Sequence, residues 1–289
     1  MRLGLSTNFN EDSAEKWAKK MVSLGCKSVV FPLNCEASDS QINEYVEAAK
    51  ANDLLIAEVG IWRNALDPDD DARKKNLEYS IKQLALADKI GARCAVNVAG
   101  SFGARWDGGY KENFSVEMLE KTVEMVRTVI DEAKPKNTYF SLEPMPWMVP
   151  TGPKEYQKLI EAVDRDRFGV HMDIINMINC PTRYFFPEEF LEETFETLGD
   201  KIKSCHLKDI KLLDGFTFQL QECACGEGVF PIEKYIDLAD KYDVDMPMII
   251  EHLSSDDEYI KNIAYVSNRI NTHYERNKAD KILSELGII

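Results

Sequence analysis

The chain has 289 residues, 44% of them apolar and 29% charged, and carries a formal net charge of −15. That composition supplies a sizeable core and excludes a disordered chain. So acidic a surface repels phosphate backbones, which argues against nucleic acid as a partner.

In chain order, short apolar runs alternate with longer segments of helical period. Leu3–Ser6 reads as a first strand. Ala14, Trp17, Ala18, Met21 and Val22 follow at helical spacing, and Gly25 ends that helix. Ser28–Phe31 reads as strand two, Ile42–Lys50 as a helix and Leu54–Val59 as strand three. An acidic loop with Asp67 and Asp69–Asp71 precedes a third helix marked by Leu77, Ile81, Leu84 and Ile90, and Gly91 stops it. Cys94–Val98 is strand four, and a glycine-rich loop runs from Gly100 to Tyr110. The fourth helix has the clearest stripe, Val116, Leu119, Val123, Val126, Ile130 and Ala133, and Pro135 closes it. Tyr139–Leu142 is strand five, Lys154–Ala162 a short helix, Phe168–Met172 strand six, Phe190–Leu198 a helix and Ile202–Cys205 strand seven. Ile232–Tyr242 is a helix, Met248–Ile250 strand eight, and Tyr259–Tyr274 the last helix.

Eight strands, each followed by a helix, imply a parallel sheet with helices outside it, and eight repeats point to closure. The expected fold class is therefore α/β, a single-domain (β/α)8 TIM barrel over residues 1–274, a size usual for that fold (about 250 residues). Residues 275–289 form a tail expected to pack on the barrel or at an oligomer interface. Neither a strand-GxGxxG-helix opening nor a GxxxxGK[ST] loop occurs, which removes the usual dinucleotide and P-loop signals. Seven cysteines, an odd count without a CxxC pair, indicate a reducing compartment. MRLGLS enters a strand at once, and no apolar run reaches spanning length, so a cytoplasmic protein without membrane attachment is expected.

Barrel enzymes place their chemistry at the C-terminal ends of the strands. Strand five ends in Glu143, strand six in Asp173, strand seven in His206 and strand eight in Glu251. Each alone reads as an ordinary polar residue at a strand end; four in register converge on one mouth. Three buried carboxylates together are costly without a cation. With one imidazole they suit a single divalent ion, Mn²⁺ first, with Co²⁺, Mg²⁺ or Zn²⁺ as alternatives.

The segments SLEP (Ser141–Pro144), GVHMD (Gly169–Asp173), CHLKD (Cys205–Asp209) and IIEH (Ile249–His252), with the Gly226-Glu-Gly228 turn, resemble the xylose-isomerase-like barrel superfamily. That group includes D-tagatose/D-psicose 3-epimerases, hydroxypyruvate isomerases, inosose dehydratases and endonuclease IV. The resemblance implies Glu143, Asp173, His206 and Glu251 as metal ligands, with Glu143 and Glu251 as the catalytic acid/base pair. It implies an isomerase or epimerase working through a metal-stabilised cis-enediolate. A metal on neighbouring carbonyl and hydroxyl oxygens stabilises the charge left by deprotonation, and a nearby carboxylate takes the proton. Return of the proton to the same carbon from the opposite face epimerises it; return to the neighbouring carbon isomerises the sugar.

One position departs from the family, which often carries a histidine where Asn176 stands. Asn176 remains a candidate for binding a sugar hydroxyl. Other substrate-binding candidates are Trp62, Trp106 and Trp147 in loops after strands three to five, Asn97 near the end of strand four, His171 two residues before Asp173, and Lys208. Each also has a plainer reading: a loop anchor for the tryptophans, a satisfied core group for His171, a surface ion pair for Lys208 and Asp209. His252 is expected to point away from Glu251.

A lyase of the same superfamily, inosose dehydratase-like or cleaving a carbon–glycoside bond, shares the first proton abstraction and stands as the alternative. Endonuclease IV-type DNA repair needs further histidines where Ile61-Trp62, Asn97-Val98 and Asn176 occur. A sugar sensor would keep the aromatics without needing four convergent ligands. The expected partner is a small sugar or sugar derivative, without nucleic acid or membrane, and the resemblance implies a homo-oligomer, a dimer or tetramer.

Overall fold

The computed structural model describes residues 1–285. Its parallel sheet is built from β1 (Arg2–Leu5), β2 (Ser28–Val30), β3 (Leu55–Gly60), β4 (Cys94–Asn97), β5 (Tyr139–Leu142), β6 (Phe168–Met172) and β7 (Ile202–Leu207). Strands β8 (Asp209–Leu212) and β9 (Leu220–Cys223) form a separate antiparallel hairpin, and β10 (Pro247–Ile250) is the eighth barrel strand. The sheet closes in the order β1-β2-β3-β4-β5-β6-β7-β10 and back to β1. This is the expected (β/α)8 TIM barrel.

Closure rests on the β1–β10 seam, where Leu3 lies opposite Met248 and Gly4 opposite Ile249. Gly4 is required there by space: a Cβ on it would stand 2.3 Å from the Ser28 carbonyl oxygen. Parallel strands covered on both faces read as continuous apolar runs, and the residues of β4 and β6 are buried throughout.

Outside lie α1 (Ala14–Ser23), α2 (Asp39–Ala51), α3 (Asp70–Ile90), α4 (Val116–Ala133), α5 (Pro153–Val163), α8 (Pro187–Leu198), α9 (Ile232–Tyr242) and α10 (Asp256–Glu285). Two short helices, α6 (Ile174–Met177) and α7 (Pro181–Phe185), follow β6. Side-chain oxygens of Ser13, Ser38, Asp69 and Ser115 accept the backbone N–H three residues on and so start α1 to α4. Gly91, at φ 71°, ends α3 in the left-handed conformation. The apolar stripes face the sheet: Trp17 and Met21 of α1, Met118, Val126 and Val129 of α4, and Tyr235 and Ile236 of α9 are buried. No helix among the described residues is long and apolar enough to cross a membrane.

Two features depart from the pattern expected. The last helix runs to Glu285 rather than Tyr274. Glu275, Arg276, Asn277 and Lys278 are exposed and polar, so no apolar stripe announces the extension there, and helix-favouring residues carry it. The part of the expected tail at 286–289 lies outside the described residues. The second departure is the β8–β9 hairpin, whose short strands alternate only weakly.

Asp209 fastens the loop after that hairpin. Its carboxylate is buried, with Oδ1 accepting from the backbone N–H of Ile210 (2.8 Å) and Phe230 (2.9 Å), and Oδ2 from Gly226 and Gly228 (both 3.0 Å). It is a clamp on backbone and not a surface ion pair. Asp209→Ala strands these donors and is expected to destabilise the fold by about 3 kcal/mol in chemical denaturation, with faster amide exchange at Gly226 and Gly228.

Candidate metal centre

The ends of β5, β6, β7 and β10 bring Glu143, Asp173, His206 and Glu251 together. Their ligand atoms lie within 4.8 Å of one another, and all four residues are buried. His206 is the hub: its Nδ1 is 3.1 Å from Glu143 Oε1, 3.0 Å from Glu251 Oε2 and 3.7 Å from Asp173 Oδ2. Local backbone fixes the set. The Glu143 N–H donates to the Asn97 carbonyl at 2.7 Å. Asp173 is the N-cap of α6, with Oδ1 accepting from Asn176 N at 3.0 Å. That leaves Oδ2 turned to the cluster.

Lys208 supplies one positive charge from inside. Its Nζ lies 2.6 Å from Glu251 Oε1 and 2.7 Å from Asp173 Oδ2, and the residue is only 2% exposed. The contact to Asp173 is poorly directed, and Asp173 Oδ2 has no hydrogen-bond partner.

A residue that sequence reasoning missed completes the floor. Glu58, on β3, is buried with Oε2 3.5 Å from His206 Nε2 and Oε1 3.6 Å from His171 Nδ1. The signal was present: a lone carboxylate inside the apolar run LIAEVG. Glu58, His171 and His206 form a second group that could hold a metal. The neighbouring contacts cross the lumen, since Cys94 Sγ on β4 is 3.1 Å from Ser204 Oγ on β7, and His171 Nδ1 is 2.5 Å from the same hydroxyl.

Charge crowding sets the protonation states. Burial pushes the Glu143 carboxyl up to about 8, against the pull of His206. Burial opposes ionisation of Glu251 and Asp173 too, yet His206 and Lys208 hold Glu251 at about 2, and Lys208 keeps Asp173 well below the usual carboxylate range. Burial works against the His206 and Lys208 cations, and the surrounding carboxylates outweigh it, raising both. Burial, with the His206 charge, lowers His171 to about 4, so it is neutral. Four buried carboxylates thus face one ammonium, the His206 cation and the neutral His171, and Asp173 Oδ2 and Glu58 Oε1 lack hydrogen bonds. Such a donor set fits a divalent cation.

A cavity of about 900 Å³ opens above the cluster, with Glu58, Glu143, His206 and Glu251 in its wall. Trp62, Trp106, Trp147 and Asn176 line it as well, and Asn176 Nδ2 donates to Glu143 Oε1 at 3.2 Å. Three expected substrate contacts lie elsewhere. Asn97 is fully buried, with its amide spent on the Arg63 backbone (3.1 and 3.0 Å). His171 sits below the floor, and Lys208 is held in its ion pairs behind the wall. His252 and Glu222, not among the sequence candidates, also join the wall. His252 adopts φ 56°, which turns its ring back to within 2.9 Å of Glu222 Oε2. Strand alternation places it facing away, and only the left-handed backbone reverses this. The hydrogen bond to Glu222 raises the His252 pKa.

Residues 18–269 match the family model of the xylose isomerase-like TIM barrel. The chain belongs to that family. No curated protein sequence matches it. Among solved structures, it resembles a xylose isomerase-like TIM barrel protein from Mycobacterium smegmatis in complex with magnesium (19% identity, 90% of this chain and 88% of the other, TM-score 0.67). It also resembles D-psicose 3-epimerase with D-tagatose from Clostridium cellulolyticum (17%, 96% and 99%, 0.65) and endonuclease IV from Thermus thermophilus (13%, 96% and 100%, 0.70). At these identities the likeness is one of fold, and activities vary widely on one fold. In this xylose isomerase-like barrel, the site's own residues must carry the chemistry.

Two outcomes test the centre. A cation needs Glu143 as carboxylate and His206 as neutral imidazole, whereas burial favours the protonated Glu143 carboxyl and the surrounding carboxylates favour the His206 cation. Binding must then expel protons from both, so Mn²⁺ affinity should rise with pH up to and beyond about 8. Titration calorimetry in buffers of different ionisation enthalpy should show the released protons; an affinity independent of pH would overturn this ligand set. Glu58→Gln removes the anion facing His206 Nε2, and Mn²⁺ binding should weaken by about 10–100-fold.

Proposed function

We propose that the protein is a divalent-metal-dependent sugar isomerase or epimerase. The observation that carries this reading is the pair Glu143 and Glu251. They reach one imidazole from β5 and β10, with β6 and β7 between them, and both line the same cavity.

Glu143, Asp173, His206 and Glu251 would hold the cation, with Glu58 orienting His206 from below. When bound, the ion supplies positive charge that stabilises the anion formed as a proton leaves carbon beside a carbonyl. One of the two glutamates would take that proton at a carboxylate oxygen, and the other, once reprotonated from a sugar hydroxyl or solvent, would return a proton from its own wall. Asn176, which donates to Glu143, would fix that carboxylate and meet a sugar hydroxyl. Trp62, Trp106 and Trp147 narrow the mouth and shield the reacting carbon from water. Lys208 holds Asp173 and Glu251 ionised and in place. The groups that could hold a metal among the described residues are the four-residue cluster and Glu58–His171–His206. Trp62, Asn97 and Asn176 offer no further ligands for a multi-zinc nuclease centre.

The test is solvent exchange. Mn²⁺-loaded protein incubated in D₂O with ketoses, aldoses and inososes should introduce deuterium at carbon, followed by NMR. Glu251→Gln should reduce exchange by at least about a thousandfold while the fold persists. The labelled carbon separates epimerisation from isomerisation, and loss of water or of an aglycone would instead identify a lyase. Metal bound without exchange on any substrate would refute proton transfer.

A further inference from the structure

We propose that His252 is a substrate-binding residue that holds the sugar hydroxyl nearest Glu251, and that Glu222 is its positioning residue. This rests on the sugar reading above and deepens it, naming how a hydroxylated substrate is recognised beside the metal centre. Backbone geometry is the first ground. His252 directly follows Glu251 and stands at φ 56°, a conformation uncommon for a residue with a side chain. Extended backbone at this point would send the ring away from the cavity. The left-handed turn brings it into the cavity wall, where its side chain stays about half exposed. Such backbone persists where surrounding contacts enforce it, and it gathers at ligand sites.

The contacts that enforce it come from the β8–β9 hairpin. Glu222, on β9, accepts at Oε2 from His252 Nδ1 at 2.9 Å, and the same oxygen lies 3.2 Å from Lys208 Nζ. Lys208 in turn pairs with Glu251 Oε1 at 2.6 Å. His252 Nε2 stands 3.5 Å from Glu251 Oε2, which closes a ring of four side chains around one corner of the cavity. The side chains of Glu222 and His252 are both about half exposed, and an ion pair so placed contributes little to stability. The fold therefore gains little from the unusual backbone here. What the arrangement does provide is an imidazole fixed beside Glu251.

Chemistry identifies what that imidazole takes. Nδ1 is committed to Glu222, which leaves Nε2 as the ring's atom for a ligand. A hydroxyl both donates and accepts, so it suits Nε2 in either state and can bridge to a Glu251 oxygen. A phosphate or carboxylate in the same place would face Glu222 and Glu251 and be repelled. Asn176 makes the matching arrangement on the other side, where its Nδ2 donates to Glu143 Oε1 at 3.2 Å. Each of the two glutamates thus has a hydrogen-bonding neighbour in the wall, and together these neighbours would take two hydroxyls of one substrate.

Calorimetric binding and deuterium exchange on Mn²⁺-loaded protein test this, with the same ketoses and aldoses beside their monodeoxy analogues. Glycine suits left-handed backbone, so His252→Gly should melt no lower than wild type and keep its Mn²⁺ affinity. Its sugar binding should weaken about tenfold, with KM raised and kcat little changed. One monodeoxy analogue should bind wild type more weakly by the same factor and show no further loss against His252→Gly. Glu222→Ala should weaken sugar binding in the same way, and Glu222→Gln, whose amide oxygen still accepts from the ring, should recover most of it. Unchanged sugar binding in His252→Gly, or a deoxy penalty that survives that substitution, overturns the inference. Exchange accompanied by such a result leaves the isomerase reading standing alone. Sugar binding that depends on His252 without any exchange keeps the inference and removes that reading, and a wild type that binds no sugar removes both.

Discussion

The crowding of like charge at one end of the barrel is the constraint on which the rest depends. Four carboxylates, Glu58, Glu143, Asp173 and Glu251, surround a single imidazole with almost no access to solvent. In so dry a place their repulsion is large, and the molecule answers it by several means. Lys208 reaches in between Asp173 and Glu251, His206 carries charge between Glu58 and the rest, and Glu143 retains a proton. Each of these leaves residual negative potential at one point, where a small cation would fit. A barrel filled to the same level with branched aliphatic side chains would be more stable and chemically inert.

Above this floor, the connections shape the cavity by holding one another. The Asn97 amide binds the backbone after β3, Trp147 binds the loop after β4, and Asp209 gathers the loop ahead of α9. Buried polar side chains here act chiefly on backbone groups, which lets irregular segments stay rigid. The same rigidity explains why Asn97, although at a strand end, is a support and not a substrate contact.

The strands and the four principal side chains of the site were legible because both follow simple periodicity. An apolar run ending in Glu, Asp, His or Glu needs no tertiary information. Glu58 was legible in principle, as a charge within an apolar strand, but its partner His206 lies on β7 across the lumen and sequence separation conceals the pairing. His252 was hidden for another reason: alternation presumes extended backbone, and a single residue at φ 56° cancels it. The β8–β9 hairpin and the long continuation of α10 escaped because the hairpin strands alternate weakly and residues 275–278 are polar, so composition alone marked them as connection and tail.

The seam between β1 and β10 has a consequence for how the site comes into being. These two strands are the most distant barrel strands in sequence, and their pairing is the contact of highest loop-closure entropy in the sheet. Glu251 follows β10 directly. During synthesis, Glu143, Asp173 and His206 emerge and can gather early, but the fourth donor arrives with the strand that shuts the barrel. Assembly of the four-residue cluster and topological completion therefore coincide, and a chain that has not closed its seam lacks one of its four members.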